Sequence, residues 1–104
     1  MNATIGEPLD LLMRGAERGL VDVLTIDVYD PADRSVILEA SRVGIIEPRP
    51  AAYRATRKIN AAGSFIVRWT RIDTQTVLKE EPVDVRLPAG AARLSAPAFT
   101  YGYR

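Results

Sequence analysis

The chain has 104 residues, 47% of them hydrophobic and 26% charged, with a formal net charge of +1. That is enough for one core, burying roughly 60–65% of the surface of the unfolded chain, and not for two. With no cysteine and no histidine, disulfides, thiolate chemistry and imidazole catalysis are all excluded, leaving carboxylates, lysines, hydroxyls and backbone as the only reactive groups.

Residues 1–19 read as an N-terminal docking segment. Met1–Glu7 lacks the basic and apolar blocks of a signal peptide. In Pro8–Leu20 the apolar residues Leu9, Leu12, Met13, Ala16 and Leu20 fall at three- and four-residue steps, the spacing of a short amphipathic helix. An irregular edge segment is the alternative, because Gly15 and Gly19 weaken a helix. Leu9, Leu12 and Met13 are the candidate interface residues of this segment.

Residues 20–87 read as strands and turns. Leu24, Ile26 and Val28 share one face of an extended segment, with Thr25 and Asp27 on the other. Tyr29-Asp30-Pro31-Ala32-Asp33 breaks it. Further strands are expected at Ser35–Ala40, at Val43–Glu47 before Pro48-Arg49-Pro50, and at Tyr53–Ile59. In the last of these, Tyr53, Ala55 and Arg57 point one way and Arg54, Thr56 and Lys58 the other. Ser64–Ile72 is the clearest strand, with Phe65, Val67 and Trp69 on one side. Thr76–Glu81 follows, Pro82 interrupts, and Val83, Val85 and Leu87 alternate with Asp84 and Arg86. Six or seven short strands in one sheet would leave a broad apolar face in water. Two sheets packed face to face bury it, so an all-β, Ig-like or fibronectin-III-like β-sandwich is expected, with a small barrel as the rival. Residues 88–104 form a C-terminal extension whose Phe99, Tyr101 and Tyr103 fall at alternate positions, as interface anchors would on an extended strand. Closing the edge of its own sandwich is the competing role for that extension.

The chemistry of the sequence points away from catalysis. Asp27, Asp30 and Asp33 surround one turn but lack the glycine and terminal glutamate of a calcium loop. Walker A, GxGxxG, GxSxG and HExxH patterns are absent, and no serine has a histidine to activate it. The expectation is a non-enzymatic protein with no cofactor and no metal. No run approaches the 18 or so apolar residues of a membrane span. Cationic residues concentrate in Arg54, Lys58 and Arg68, a basic patch if a sandwich brings them onto one sheet. Contact with DNA through that patch is disfavoured, because stacking aromatics are not interleaved with it and a net charge of +1 gives little long-range attraction to a polyanion. The cations are almost all arginine, the residue suited to planar, bidentate pairing at protein surfaces.

The segment Val28-Tyr29-Asp30-Pro31-Ala32-Asp33-Arg34-Ser35-Val36, then Gly44-Ile45-Ile46-Glu47, Tyr53-Arg54-Ala55-Thr56, Ala62-Gly63-Ser64-Phe65-Ile66-Val67-Arg68-Trp69 and Glu80-Glu81-Pro82-Val83-Asp84-Val85, resembles small Ig-like structural proteins of tailed bacteriophages and related prophages. The resemblance covers Asp27–Leu87 and excludes both ends. Two departures stand out: Ala52 occupies the place of a glycine before the tyrosine, and Ala32-Asp33-Arg34 replaces an aspartate–glycine turn. The resemblance implies a virion component of the neck, tail or capsid surface, assembled in the host cytoplasm, partnered by other virion or assembly proteins, and present as a homo-oligomer or ring. A monomeric adhesion module recognising carbohydrate or a host surface is the alternative, with its groove among Tyr29, Pro48–Tyr53 and Asp73–Gln75.

Overall fold

A computed structural model describes residues 1–15 and 17–88. Among the described residues there are eight strands: β1 (Asn2–Thr4), β2 (Pro8–Arg14), β3 (Leu24–Tyr29), β4 (Val36–Ser41), β5 (Ile46–Arg49), β6 (Ala52–Lys58), β7 (Gly63–Arg71) and β8 (Thr76–Arg86). They form a five-stranded sheet in the order β1-β8-β7-β3-β4 and a three-stranded sheet in the order β2-β6-β5. All ladders are antiparallel except β1 with β8. The described residues therefore form an all-β, two-sheet sandwich.

Alternation drives the packing. From the larger sheet Leu24, Ile26, Val28, Phe65, Val67, Trp69, Val83 and Val85 turn inward, and from the smaller sheet Leu11, Met13, Tyr53 and Ala55 meet them. All are at most 4% exposed. Each such side chain removed from water contributes about 1.5–3 kcal/mol, and these terms hold the two sheets together. Leu20, Ile45 and Ile59 add to the core from connecting segments.

The helix expected within Pro8–Leu20 is instead a strand over Pro8–Arg14, paired with β6 through seven residues from Pro8↔Lys58 to Arg14↔Ala52. Two periodicities overlap in this segment. Leu9, Leu12 and Met13 fit a helical stripe, whereas Leu9, Leu11 and Met13 fit a strand face. The ladder to β6 selects the second. Leu11 and Met13 enter the core, and Leu12 turns outward, 47% exposed.

Prolines and turns fit their places. β8 runs unbroken through Pro82, where an interruption is expected from sequence. The Asp84 amide donates to the Met1 carbonyl on the β1 side. Two residues earlier, Pro82 turns its nitrogen to the same edge, beyond the first β1 pairing at Asn2↔Asp84, so no ladder bond is lost. Pro48 lies in β5, the edge of the smaller sheet, within a register shift between Ile46 and Arg49. The strand expected at Val43–Glu47 begins only at Ile46, because Val43 and Gly44 form a turn. The other edge of the smaller sheet is β2. There the Lys79 Nζ donates to the outward Leu12 carbonyl at 2.8 Å, and an ammonium on an edge hinders the addition of another strand.

Among the described residues no helix is long and apolar enough to cross a membrane.

Candidate functional site

The expected basic patch is divided by the fold. Arg54 and Lys58 point outward from the three-stranded sheet, opposite in direction to the buried Tyr53 and Ala55. Arg68 points outward from the five-stranded sheet, opposite in direction to Val67 and Trp69. They stand on the two opposite faces of the sandwich. Of the expected N-terminal interface residues, Met13 is in the core, Leu9 is packed against it, and Leu12 is exposed. Phe99, Tyr101 and Tyr103 lie outside the described residues.

Arg68 belongs to a compact polar network at the centre of the larger sheet. Register places it opposite Asp27 on β3 and Glu80 on β8. Its Nε and Nη2 donate to the two carboxylate oxygens of Asp27 at 3.1 and 2.6 Å. Bidentate pairing of this kind is both strong and directional. It accounts for an aspartate only 5% exposed on the outer face of a sheet, since a buried carboxylate is stable only when paired. The pair also holds Arg68 protonated beyond the ordinary arginine range. The guanidinium carbon lies 4.7 Å from the centroid of the Tyr29 ring, within cation–π distance. The Tyr29 hydroxyl donates to Glu80 at 2.6 Å, and that bond raises the pKa of Tyr29. Val36 on β4 and Ile66 on β7 stand directly opposite Tyr29 in register, and Pro82 lies opposite Ile66. The result is an outer surface with a Tyr–Arg centre held by hydrogen bonds and an apolar row beside it.

The outer face of the smaller sheet is different. Arg14, Ala52 and Arg49 form one cross-strand row, and Leu12, Arg54 and Ile46 form another. A shallow groove runs over Ala52, bordered by Arg14, Arg49, Arg54 and Pro48. Arg54 contacts Asp10 at 3.2 Å. Arg14 and Arg49 have no carboxylate partner among the described residues. Sequence inspection misses these two because their neighbourhood is a matter of strand register. The alternation Asp10/Leu12/Arg14 against Leu9/Leu11/Met13 is the available signal for Arg14.

A third cluster fixes residues 17–20 to the sandwich. The buried Tyr53 hydroxyl donates to the Glu17 carbonyl and accepts from the Leu20 amide at 3.0 Å. Glu47 accepts from the Ala51 amide at 2.8 Å and the Gly19 amide at 3.1 Å. Those donors, the Ala51 bond foremost, hold its carboxyl below the usual range. Arg71 spans Asp73 and Glu17. The Tyr53 ring is therefore committed to the core, and in the Pro48–Tyr53 stretch it offers no exposed aromatic for a sugar to stack on.

No group of three or more carboxylates that would hold a metal occurs among the described residues. Asp27 pairs with Arg68, while Asp30 and Asp33 accept backbone amides of their own turn. No family model and no curated protein sequence matches this chain.

Proposed function

We propose that the protein is a non-enzymatic assembly protein whose sandwich docks on other proteins through the outer face of the five-stranded sheet. The observation that carries this reading is the Tyr29–Arg68–Asp27–Glu80 network beside the apolar row of Val36, Ile66 and Pro82. Tyrosine and arginine are the residues that most often dominate binding energy at protein interfaces. Here their side chains are already held in one geometry, which lowers the entropy lost on docking.

The strand order supports an Ig-like assignment within the sandwich class. Taken in chain order, β2, β6 and β5 match the B, E and D strands. The β8, β7, β3 and β4 strands match G, F, C and C′, and β1 lies parallel to the last strand. The resemblance of Asp27–Leu87 to Ig-like proteins of tailed bacteriophages supplies the setting: a neck, tail or capsid-surface component of a virion, assembled in the host cytoplasm as an oligomer or ring.

The test is the solution mass by light scattering, alone and mixed with the products of neighbouring genes. A defined oligomer or co-complex is expected, dissociating in an Ile66→Lys variant that keeps the wild-type unfolding midpoint. A monomer under every condition would overturn the assembly reading in favour of a self-contained adhesive module.

A further inference from the structure

We infer that the groove across the three-stranded sheet binds an extended acidic segment of a partner protein, one that carries a carboxylate and an apolar side chain two residues apart. This inference goes beyond the docking reading above and assigns the opposite face of the sandwich a second occupant. The outward positions of β2, β5 and β6 carry Arg14, Arg49, Arg54 and Lys58 against the single acid Asp10. In a chain of net charge +1 this is a local concentration of positive charge. Arg14 and Arg49 flank Ala52 in one cross-strand row. Neighbouring strands lie about 4.8 Å apart, so the two guanidinium groups rise on either side of a floor only a methyl group high. A carboxylate laid on Ala52 meets a fork from each side, the geometry that arginine matches and lysine does not.

The adjoining row defines the rest of the ligand. Leu12 and Ile46, 47% and 53% exposed, stand on either side of Arg54. An apolar side chain two residues from the carboxylate covers them. The two rows lie two residues apart along the strands, about 6.6 Å. The side chains of an extended ligand that face the sheet likewise recur at every second residue, so a carboxylate at one position and an apolar side chain two residues on meet the two rows. Nucleic acid fits less well. No aromatic ring occupies an outward position on this sheet, so there is no platform for base stacking. The two apolar side chains would also lie against a phosphate backbone.

The probe is a fluorescein-labelled octapeptide of repeating Glu-Ser-Leu-Ser, which puts glutamate and leucine on one side of an extended chain, followed by polarisation. Its lysine–leucine counterpart and an oligo-dT of similar length serve as competitors. Saturable binding tighter than about 1 mM is expected, weakening several-fold as ionic strength rises from roughly 0.05 to 0.5 M. The paired change Arg14→Glu and Arg49→Glu should weaken it by at least about tenfold. Should that variant lose its unfolding midpoint, Arg14→Gln with Arg49→Gln replaces it, with a smaller loss in the same direction. Absence of saturable binding, equal binding of the lysine peptide, or wild-type affinity in a folded double variant overturns the inference. Tighter binding of oligo-dT overturns the assignment to a protein partner. Ile66→Lys lies on the opposite face and should leave peptide binding unchanged. If complexes with neighbouring gene products persist while the peptide fails to bind, the inference falls and the docking reading stands. If the peptide binds but no complexes form, the groove assignment stands and the docking reading falls.

Discussion

Replacing Tyr53 by phenylalanine removes one oxygen atom from the protein and should cost about 2 kcal/mol. The ring is 1% exposed, so phenylalanine keeps its packing against the core. The hydroxyl serves two backbone groups across a sequence separation of more than 30 residues, accepting from Leu20 and donating to Glu17. Glu17 is exposed, so its carbonyl recovers a bond from water at little cost. Leu20 is 4% exposed, and its amide is left with no acceptor, a loss of about 1–3 kcal/mol for a buried donor. In a domain of this size about 2 kcal/mol lowers Tm by roughly 8–16 °C. Urea unfolding followed by the fluorescence of Trp69, the single tryptophan and 0% exposed, measures the change with an unaltered m value. Tyr29→Phe is the control: its hydroxyl bond to Glu80 is exposed, and the expected loss is below about 1 kcal/mol. A loss below about 0.5 kcal/mol in Tyr53→Phe, or one no larger than in the control, would refute the assignment of Tyr53 as the anchor of residues 17–20.

Three further outcomes are expected. Arg68→Met strands the Asp27 carboxylate and should destabilise by about 2–3 kcal/mol, below the full range for a buried pair because Arg68 itself is partly exposed. Adding Asp27→Asn should recover part of that loss, and a double variant less stable than Arg68→Met would count against the pairing. Arg34 has φ +64°, a left-handed conformation that costs a non-glycine residue about 1–2 kcal/mol. Arg34→Gly should therefore stabilise by roughly 0.5–1 kcal/mol after its own entropy cost, read as a higher urea midpoint. Glu47 has a folded pKa below its unfolded value of about 4.3. Between the two values the unfolded state binds more protons, so the Glu47 contribution is present above about pH 4.3 and disappears as pH falls through the folded value. The stability difference between wild type and Glu47→Gln should follow that course, and a difference constant from neutral to strongly acid pH would exclude it.

Much of the sandwich is legible in sequence where one periodicity acts alone. In β7 the Phe65/Val67/Trp69 alternation has no helical competitor, and in β3 the division of Leu24, Ile26 and Val28 from Thr25 and Asp27 matches the two faces observed. β2 is misread because helical and extended spacing coincide there, and only the partner strand decides between them. Pro82 suggests a break because its tolerance depends on where β1 begins, a fact about a strand almost the whole domain away. The sites are less legible than the strands. Arg54, Lys58 and Arg68 share charge but not a face, since facing follows from the sheet each strand joins. Arg68 with Asp27, and Arg14 with Arg49 across Ala52, become neighbours only through register, which is set by the whole core.

The parallel pairing of β1 with β8 also governs when the fold is finished. Asn2 meets Asp84, so β1 is synthesised well ahead of the strand it pairs with. At synthesis rates of about 5–20 residues per second, β1 waits several seconds for β8. In that interval β1 lacks its neighbour in the sheet and is able to pair with other chains. Closure of so long a loop makes folding slow relative to local hairpin formation. Production at low temperature, with less nascent chain present at once, should therefore improve the yield of folded protein more than changes at the exposed faces.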